Sequence, residues 1–305
     1  MTGGAQERSS PRINRCIELR ESGEPLYYTG MSERLTYERG REMVDTFADF
    51  ILVEFEHHGL DTRGLFDFMQ GLRDAGPTPS GHRTPTVLCT LPVNGLSEEV
   101  VQANDWQIRH ILATGVHGLV LCHSRTPEAV RAFVEAVRYP HATLGVGEGL
   151  GEGTRGMGGQ GVAAEIWGLD PMDYIRKADP WPLNPEGELI LGLKIEDRQG
   201  MQRAFEITAV PGLFFSEWGP GDMGVSHGHS DWHDPPYSPE MDHARNTIQA
   251  ACEAEGLAFL CSWADSDLDD EARIRHLLQN VGAEIVSGGE EMARIGRQLT
   301  GRPTP

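Results

Sequence analysis

Eight short apolar segments recur along this chain, and segments with a helical pattern separate most of them. The apolar segments are rich in Val, Ile, Leu and Phe without strict alternation, which is typical of strands buried on both faces. They are PLYYTGM (25–31), FILVEFEH (50–57), TVLCTLP (86–92), GLVLCH (118–123), LILGLKIE (189–196), LFFSEWG (213–219), LAFLCSW (257–263) and AEIVSGG (283–289). An alternation of strand and helix that repeats eight times predicts a (β/α)8 barrel.

The intervening segments place apolar residues at helical spacing, and several end in Gly, a frequent helix stop. They are residues 34–49, 61–76, 105–115, 126–138, 197–209, 238–256 and 269–282. A doubly wound open sheet is the alternative, but no GxGxxG follows the first strand. We expect a disordered tail over residues 1–15 and one barrel domain over residues 16–305.

One segment, at about residues 140–188, interrupts the alternation. Its glycine-rich part, LGVGEGLGEGTRGMGGQG, lacks the GK[ST] ending of a phosphate loop. Long irregular loops in compact domains are usually functional or disordered. Because loops that follow barrel strands gather at the catalytic face, we expect the insertion there. Trp167, Tyr174 and Trp181 then either line a substrate pocket or pack the loop down.

The charge of the chain limits its partners. With 26 Lys and Arg against 46 Asp and Glu, the net charge is −20, which argues against nucleic acid and against anionic lipid. No apolar run approaches the roughly 20 residues of a membrane span, and the N-terminal stretch lacks the apolar core of a secretion signal. The five cysteines are scattered without a CxxC spacing. We expect them to be buried and reduced, in a cytoplasmic protein.

Two carboxylates follow two successive predicted strands directly. Glu196 lies in KIED, and Asp222 lies in GPGDMG. Because the carboxyl ends of barrel strands meet at one face, both side chains should point into the same mouth. Two carboxylates with open positions suit a hard divalent ion such as Mg²⁺ or Mn²⁺. The alternative is a pair of solvated loop acids in an acidic chain.

Histidines end two of the predicted strands. His57 ends the second strand and is a candidate general base. Glu54 or Glu56 would orient it, although the pleat of a strand prevents both from sharing its face. The alternative is a surface pair with its neighbour in EFEHHG. His123 ends the fourth strand, as a ligand, an acid or base, or a polar lining residue.

Two further features are candidates for binding. The stretch HGHSDWHD contains His227, His229 and His233, and it is either a metal-binding tract that borders the pocket or loop composition. Arg155 in GTRGMG is a candidate anchor for a substrate carboxylate. The alternative for Arg155 is an ion pair with local acids.

Several motifs occur in an order that resembles one family. They are FEHHGLD (55–61), GVHGLVL with TPEAVRAFVEAVRYP (115–140), RGMG (155–158), KIED with AVPGLFF (194–197 and 209–215) and GPGDMGVSHG (219–228). The chain resembles the HpcH/HpaI aldolases, which are metal-dependent class II pyruvate aldolases. The resemblance extends from about residue 45 to residue 230 and more weakly to about residue 295.

The resemblance implies a (β/α)8 barrel, often hexameric, whose C-terminal helix is exchanged between subunits. It implies a carbon–carbon lyase that cleaves a 4-hydroxy-2-oxo acid through an enolate held at a divalent metal, Mg²⁺, Mn²⁺ or Co²⁺. Glu196 and Asp222 would bind the metal, and His57 would be the base, with Glu54 beside it. The backbone of the segment Gly219, Pro220, Gly221 and Asp222 would bind the substrate carboxylate.

The chain departs from the family pattern at four places. Leu91 stands where members carry an Arg, Ala113 where they carry an Asp, and Lys194 where they carry a Gln. The fourth departure is milder, with Glu54 where members carry an Asp. The missing positive charge would come from His123, Lys194 or Arg155. Three functions stay open: the conventional lyase, a non-aldol reaction on the same enolate (decarboxylation, hydration or C–C joining), and an inactive barrel with a binding role.

Overall fold

Eight parallel strands close into a barrel in sequential order, in a computed structural model that describes residues 12–230, 235–263 and 265–302. The strands are β1 (Leu26–Met31), β2 (Phe50–Val53), β3 (Thr86–Asn94), β4 (Gly118–Cys122), β5 (Ile190–Lys194), β6 (Phe215–Trp218), β7 (Ala258–Cys261) and β8 (Ile285–Ser287). Each strand overlaps one of the eight apolar segments. The prediction of a single-domain (β/α)8 barrel is therefore confirmed.

Helices pack around this barrel and across its ends. In the described part of the chain they are α1 (Arg15–Glu21), α2 (Tyr37–Glu42), α3 (Thr62–Ala75), α4 (Glu98–Ala103), α5 (Asp105–Leu112), α6 (Pro127–Val137), α7 (Gln160–Trp167), α8 (Pro171–Lys177), α9 (Arg198–Gln202), α10 (Ala204–Thr208), α11 (Pro220–His227), α12 (Pro239–Glu255), α13 (Asp270–Arg275), which a π-helical stretch (His276–Val281) continues, and α14 (Glu290–Thr300). Most predicted helices form. The one predicted over 34–49 is only six residues long, and the one over 197–209 is split at Arg203.

The core has two layers because the strands are buried on both faces. One layer fills the barrel and includes Phe50, Leu88 and Phe215, and the other packs the outer faces of the strands against the helices. Gly192 on β5 leaves room for this inner layer, since a Cβ there would lie 2.1 Å from the Phe215 ring. Double-sided burial explains why the strand segments do not alternate.

The insertion lies at the end of the barrel opposite the catalytic face. The prediction that it lies at the catalytic face was therefore wrong. Residues 140–188 follow α6 and lead into β5, so they connect a helix to a strand. In a (β/α)8 barrel such connections lie at the amino-terminal ends of the strands, which we call the floor. The chain pairs there with the start of β5, where Leu189 N–H donates to the Asp179 carbonyl at 3.3 Å.

The aromatic residues of the insertion pack it against the floor. Trp167 donates its indole N–H to the Gly115 carbonyl at 2.9 Å, and Tyr174 meets the Trp167 ring edge-on at 4.8 Å. Trp181 lies 5.6 Å from the ring of Phe214. Of the two alternatives for these residues, the structure therefore supports packing, and none of the three lines the catalytic face.

The amino-terminal end of the described chain is attached to the floor. Asn14 N–H donates to Glu188 Oε2 at 2.9 Å, and Arg12 Nη1 lies 3.4 Å from Glu188 Oε1. Packing against the barrel therefore begins at least at Arg12, ahead of the boundary predicted at residue 16. Residues 1–11 of the predicted tail lie outside the described residues.

The C-terminal helix also ends at the floor of its own barrel. Arg297 of α14 and Arg302 beyond it both pair with the buried Asp49, and we call these three residues the floor cluster. In this chain α14 packs on its own barrel, and the exchange between subunits that the resemblance implies stays a prediction. No helix in the described ranges is long and apolar enough to cross a membrane. All five cysteines are buried and unpaired, as predicted.

Candidate active site

Four ionisable side chains converge at the carboxyl-terminal mouth of the barrel, and we call them the mouth cluster: Glu56, His123, Lys194 and Glu196. Lys194 is the last residue of β5, and Glu196 follows it two positions later. Lys194 Nζ lies 2.6 Å from Glu56 Oε2 and 3.8 Å from Glu196 Oε2. The mouth therefore already contains one cation between two carboxylates, although Glu56 and Lys194 are 138 residues apart.

Three members of the mouth cluster offer donors to a metal ion. One donor atom from each of Glu56, His123 and Glu196 lies within 4.8 Å of the other two. His123 Nε2 is 3.4 Å from Glu56 Oε1 and 3.9 Å from Glu196 Oε1. Glu56 Oε1 is buried without a hydrogen-bond partner. A buried carboxylate oxygen without a partner costs free energy, and a cation between these atoms would remove that cost.

His123 adopts an unusual backbone conformation to reach this position. Its φ is +45°, the one positive value at a non-glycine residue of the described chain. Its backbone N–H donates to Glu196 Oε1 at 3.2 Å, and its Nδ1 lies 3.5 Å from Asp197 Oδ2. Strained backbone of this kind persists where surrounding contacts hold it, often at functional sites.

The electrostatics of the mouth show an excess of negative charge. Burial raises the pKa of Glu196 well above its ordinary value, the Lys194 charge opposes this, and the charges of Glu56, Glu217 and Asp222 add to it. Burial also raises the pKa of Glu217. Burial would lower the pKa of Lys194, but the surrounding carboxylates outweigh it and raise that pKa. Lys194 is thus a fixed positive charge, and it does not balance all the acids around it.

Asp222 lies in the first turn of α11, close to the mouth cluster but outside its three-residue donor group. Its charge acts on Glu196, as described above, and contributes to the raised pKa of His123, for which the contact with Asp197 is the largest cause. Gly219 precedes this helix, and a Cβ there would lie 3.1 Å from Glu196 Oε2. A glycine at 219 therefore lets the start of α11 approach the Glu196 carboxylate.

His57 lies at the rim of the mouth. Its side chain is 56% exposed, and its Nε2 is 3.6 Å from Glu56 Oε2. Glu54 instead accepts the backbone N–H of Glu56 at 2.6 Å, that of His57 at 3.4 Å, and the Thr90 hydroxyl at 2.7 Å. β2 ends at Val53, so strand alternation does not govern these residues. Glu54 therefore fixes the backbone at residues 56 and 57, and Glu56 is the acid that faces the His57 ring.

Arg155 is not part of the mouth cluster. It is buried in the insertion, where Nη2 donates to the Tyr174 hydroxyl at 2.9 Å and the guanidinium lies 4.6 Å from the centre of the Tyr139 ring. Its backbone N–H donates to Arg138, which ends α6 at the floor. The geometry of this barrel gives Arg155 no contact with a substrate at the mouth. Of the three candidates for the missing positive charge, His123 and Lys194 are the ones in position.

The position of Leu91 explains part of the departure from the family pattern. Leu91 is fully buried in the core layer that faces the helices, together with Cys89 and Val93. Leu88 packs inside the barrel, and Thr90 bonds Glu54 at the mouth. An arginine at position 91 would therefore point into the helix layer, and not towards a substrate.

The histidine tract lies beyond the mouth cluster. His227 ends α11 with its Nε2 buried and unpartnered, and burial lowers its pKa. His229 Nε2 lies 3.4 Å from Glu240 Oε1, and His233 lies outside the described residues. In the described part of the chain, neither His227 nor His229 belongs to a group of metal donors.

Sequence reasoning did not single out Asp197 and Glu217, and it considered Glu56 only as a partner of His57. Asp197 directly follows Glu196 in KIED, and Glu217 precedes the GPGD motif by two residues. Glu217 accepts the Ser262 hydroxyl at 2.5 Å. Both acids lie next to residues that the sequence already marked as site candidates, and this proximity could have identified them.

The fold is a (β/α)8 barrel, and the mouth cluster places two carboxylates, an imidazole and a lysine at the carboxyl ends of its strands. The model of the HpcH/HpaI aldolase/citrate lyase family matches residues 43–293. The chain belongs to this family, and it is an enzyme of the aldolase/lyase type, as the motifs predicted.

Relatives with an assigned name agree with this family. A hydroxypyruvate/pyruvate aldolase of Deinococcus radiodurans is 28% identical over 255 residues, which cover 82% of this chain and 76% of the relative. One of Delftia acidovorans is 34% identical over 155 residues, and that match spans half of each chain.

Solved structures show the same fold. An HpcH/HpaI aldolase/citrate lyase family protein from Burkholderia cenocepacia superposes with a TM-score of 0.68 at 19% identity, covering 93% of this chain and 95% of the other. Macrophomate synthase superposes with a TM-score of 0.65 at 16% identity, covering 94% of this chain and 86% of the other.

Proposed function

We propose that this chain is a divalent-metal-dependent lyase that cleaves a 4-hydroxy-2-oxo acid to a pyruvate-like oxo acid and an aldehyde, or joins them in the reverse direction. The observation that carries the proposal is the set of donor atoms from Glu56, His123 and Glu196 within 4.8 Å of one another, beside a buried lysine. The name of the relatives, hydroxypyruvate/pyruvate aldolase, supports pyruvate or hydroxypyruvate as the oxo-acid component.

The residues at the mouth fit a divalent ion. Glu196 would bind it together with Asp222, whose charge acts on Glu196, and Glu56 offers a further carboxylate oxygen within 4.8 Å of a Glu196 oxygen. Carboxylate oxygens suit Mg²⁺ and Mn²⁺, and Co²⁺ is the further candidate. A bound ion supplies positive charge that polarises a substrate carbonyl and stabilises the negative charge that develops on its oxygen.

The protein's own groups would do the remaining work. His57 is exposed at the rim and would take the proton from the 4-hydroxyl of the substrate as the carbon–carbon bond breaks. Glu56 Oε2, 3.6 Å from His57 Nε2, would stabilise the imidazolium that results. Lys194 would place a fixed positive charge beside the carboxylate or keto oxygen of the substrate. Gly219, Pro220 and Gly221 would position the substrate carboxylate at the start of α11.

A second candidate is a non-aldol reaction at the same centre, namely decarboxylation, hydration or C–C joining. The observation in its favour is the changed source of positive charge. Leu91 faces the helix layer, and Lys194 stands at the mouth where the family carries a Gln. A lysine there moves the positive charge and can change which bond of the oxo acid is broken.

The test is an assay of chelator-treated protein with Mg²⁺, Mn²⁺ or Co²⁺ added back. Pyruvate or hydroxypyruvate is supplied with a short aldehyde, and the product is identified by mass spectrometry. A metal-dependent 4-hydroxy-2-oxo acid supports the lyase, and a product without the new hydroxyl-bearing carbon supports the second candidate. Absence of any metal-dependent product and of metal binding would reject both and leave a barrel with a binding role.

Two finer features stay predictions. A homohexamer is implied by the resemblance, and a cytoplasmic location is supported by five unpaired, buried cysteines. Sedimentation of the purified protein tests the first, and cell fractionation tests the second.

A further inference from the structure

We propose that His123 and Glu56 bind the same cation as Glu196, and that the imidazole gives this centre a preference for Co²⁺ or Zn²⁺ over Mg²⁺. This inference rests on the proposed metal dependence of the mouth. It goes further, because it assigns a nitrogen ligand that an all-carboxylate site lacks.

The two oxygens of Glu56 have different surroundings. Oε2 accepts a hydrogen bond from Lys194 at 2.6 Å. Oε1 is buried, has no hydrogen-bond partner in the structure, and faces His123 Nε2 at 3.4 Å. The side chain is only 3% exposed, so bulk water is not a ready partner for Oε1. A ligand between Oε1 and Nε2 would pair the oxygen while Lys194 keeps its own contact.

The other side of the imidazole is arranged as in metal sites. Nδ1 of His123 lies 3.5 Å from Asp197 Oδ2. Asp197 is itself fixed by Arg125 Nε at 2.7 Å and by the backbone N–H of Gly200 at 2.9 Å. Histidines that bind metals usually donate their second ring N–H to a carboxylate, which fixes the tautomer and the ring orientation. Here Asp197 would hold the proton on Nδ1 and leave the lone pair of Nε2 directed at Glu56 and Glu196.

The backbone at His123 supports a positional role. A φ of +45° is costly for a histidine. The cost is offset by the bond from its backbone N–H to Glu196 Oε1, which also fixes the third donor. One residue thus orients both its own ring and the neighbouring carboxylate.

The metal preference follows from ligand chemistry. Carboxylate and water oxygens suit Mg²⁺, whereas an imidazole nitrogen favours Co²⁺, Ni²⁺ and Zn²⁺. Carboxylates together with one imidazole and open positions match the donor types of a transition ion that keeps a substrate position free.

The test compares binding of Co²⁺ and of Mg²⁺ by calorimetry, with the visible absorption of bound Co²⁺ as a second readout. The variant is His123→Asn, because Asn tolerates a positive φ and its amide N–H can replace Nδ1–H towards Asp197. His58→Asn removes a histidine from the same rim outside the cluster and is the matched control. In His123→Asn we expect Co²⁺ affinity to fall about 10- to 100-fold, Mg²⁺ affinity to change less than about 3-fold, and the Co²⁺ spectrum to shift.

The control should keep the affinities and the spectrum of the wild type. His123→Gln returns an amide oxygen near the position of Nε2, and we expect it to bind Mg²⁺ well without regaining the preference for Co²⁺. Unchanged Co²⁺ affinity and spectrum in His123→Asn, or equal losses for both ions in a folded variant, would overturn the inference. If the wild type binds no divalent ion at all, the proposed function fails as well, and the two failures are distinguishable.

Discussion

The barrel contains a buried charge cluster at each end, and the two differ in how their charges are balanced. At the floor, Asp49 meets two guanidinium groups, those of Arg297 and Arg302, and also accepts the backbone N–H of Tyr27 at 2.9 Å. Arg297 further donates to the Phe47 carbonyl at 2.6 Å. The floor carboxylate therefore has a full set of partners supplied by the chain.

At the mouth the acids outnumber the cations. Glu56, Glu196 and Glu217 surround Lys194, and Glu56 Oε1 has no hydrogen-bond partner among the described residues. Buried carboxylates require paired positive charge or a metal. The comparison shows that the floor carboxylate is paired by the chain's own cations, whereas the mouth has an excess of acids that the proposed cation would offset.

The largest expected effect is on catalysis, from Glu196→Gln. This variant keeps the shape of the side chain and removes its charge, so we expect turnover to fall about 10³-fold or more, the scale of a lost metal contribution. The thermal unfolding temperature in chelator should stay level or rise, because one of several like charges is removed. Turnover and thermal unfolding are measured together, with the exposed Glu206→Gln as control. Full turnover in Glu196→Gln would reject the site.

The next effect is on stability, from Asp49→Asn. Removing this carboxylate leaves two buried guanidinium groups uncompensated, and we expect a loss of about 3–5 kcal/mol in the free energy of unfolding. Turnover per folded molecule should stay within about 2-fold, since the floor does not touch the mouth. Urea unfolding and active-site titration measure the two quantities. A stable variant with lost turnover would contradict the division between the two ends.

A smaller effect is expected from Lys194→Gln, which should change both the stability of the protein and its affinity for metal at the mouth. Without the lysine the acids repel one another, so in chelator we expect about 2–3 kcal/mol less stability. A saturating divalent ion should recover most of this loss, because it takes over the role of the lysine. We also expect tighter metal binding, since the loss of a nearby positive charge leaves the mouth more negative. Urea unfolding with and without metal tests this. A loss of stability that metal does not reverse would argue against metal binding among these acids.

The smallest effect, counted per pH unit, is a pH dependence of stability at the floor end. Burial lowers the pKa of His117 from its ordinary value of 6.5 to about 3, and its Nδ1 accepts the Val87 N–H at 3.2 Å. Below pH 6.5 the unfolded chain binds a proton that the folded chain excludes. Stability is therefore complete above pH 6.5 and falls by up to about 1.4 kcal/mol per pH unit towards pH 3. His117→Gln keeps an acceptor and should remove this part of the slope in urea unfolding. An unchanged slope would mean that His117 is protonated in the folded state.

Much of the barrel was predictable, because each strand is a local apolar segment with its own length and composition. The location of the insertion could also have been predicted from the order of the elements, since a segment that follows a helix and precedes a strand lies at the floor. The C-terminal helix α14 was expected only from the resemblance, although EEMARIGRQLT itself has helical spacing. Its burial depends on Arg297 reaching Asp49, a contact over 248 residues.

The site was predictable only in part. Glu196, His57 and His123 lie at strand ends, and that position is local information. The role of Glu56 depends on its pairing with Lys194 across the barrel and on where β2 stops. The helix-facing orientation of Leu91 depends on the side of β3 that faces the barrel, which no motif fixes.

The central claim is that the mouth cluster holds one divalent cation. The most direct measurement is an anomalous difference map of crystals soaked in Mn²⁺, whose signal identifies the ion. The account predicts a single strong peak about 2.0–2.4 Å from a Glu196 carboxylate oxygen, with none at the floor cluster. A map without a peak at the mouth, while Lys194 still bridges Glu56 and Glu196, would contradict it.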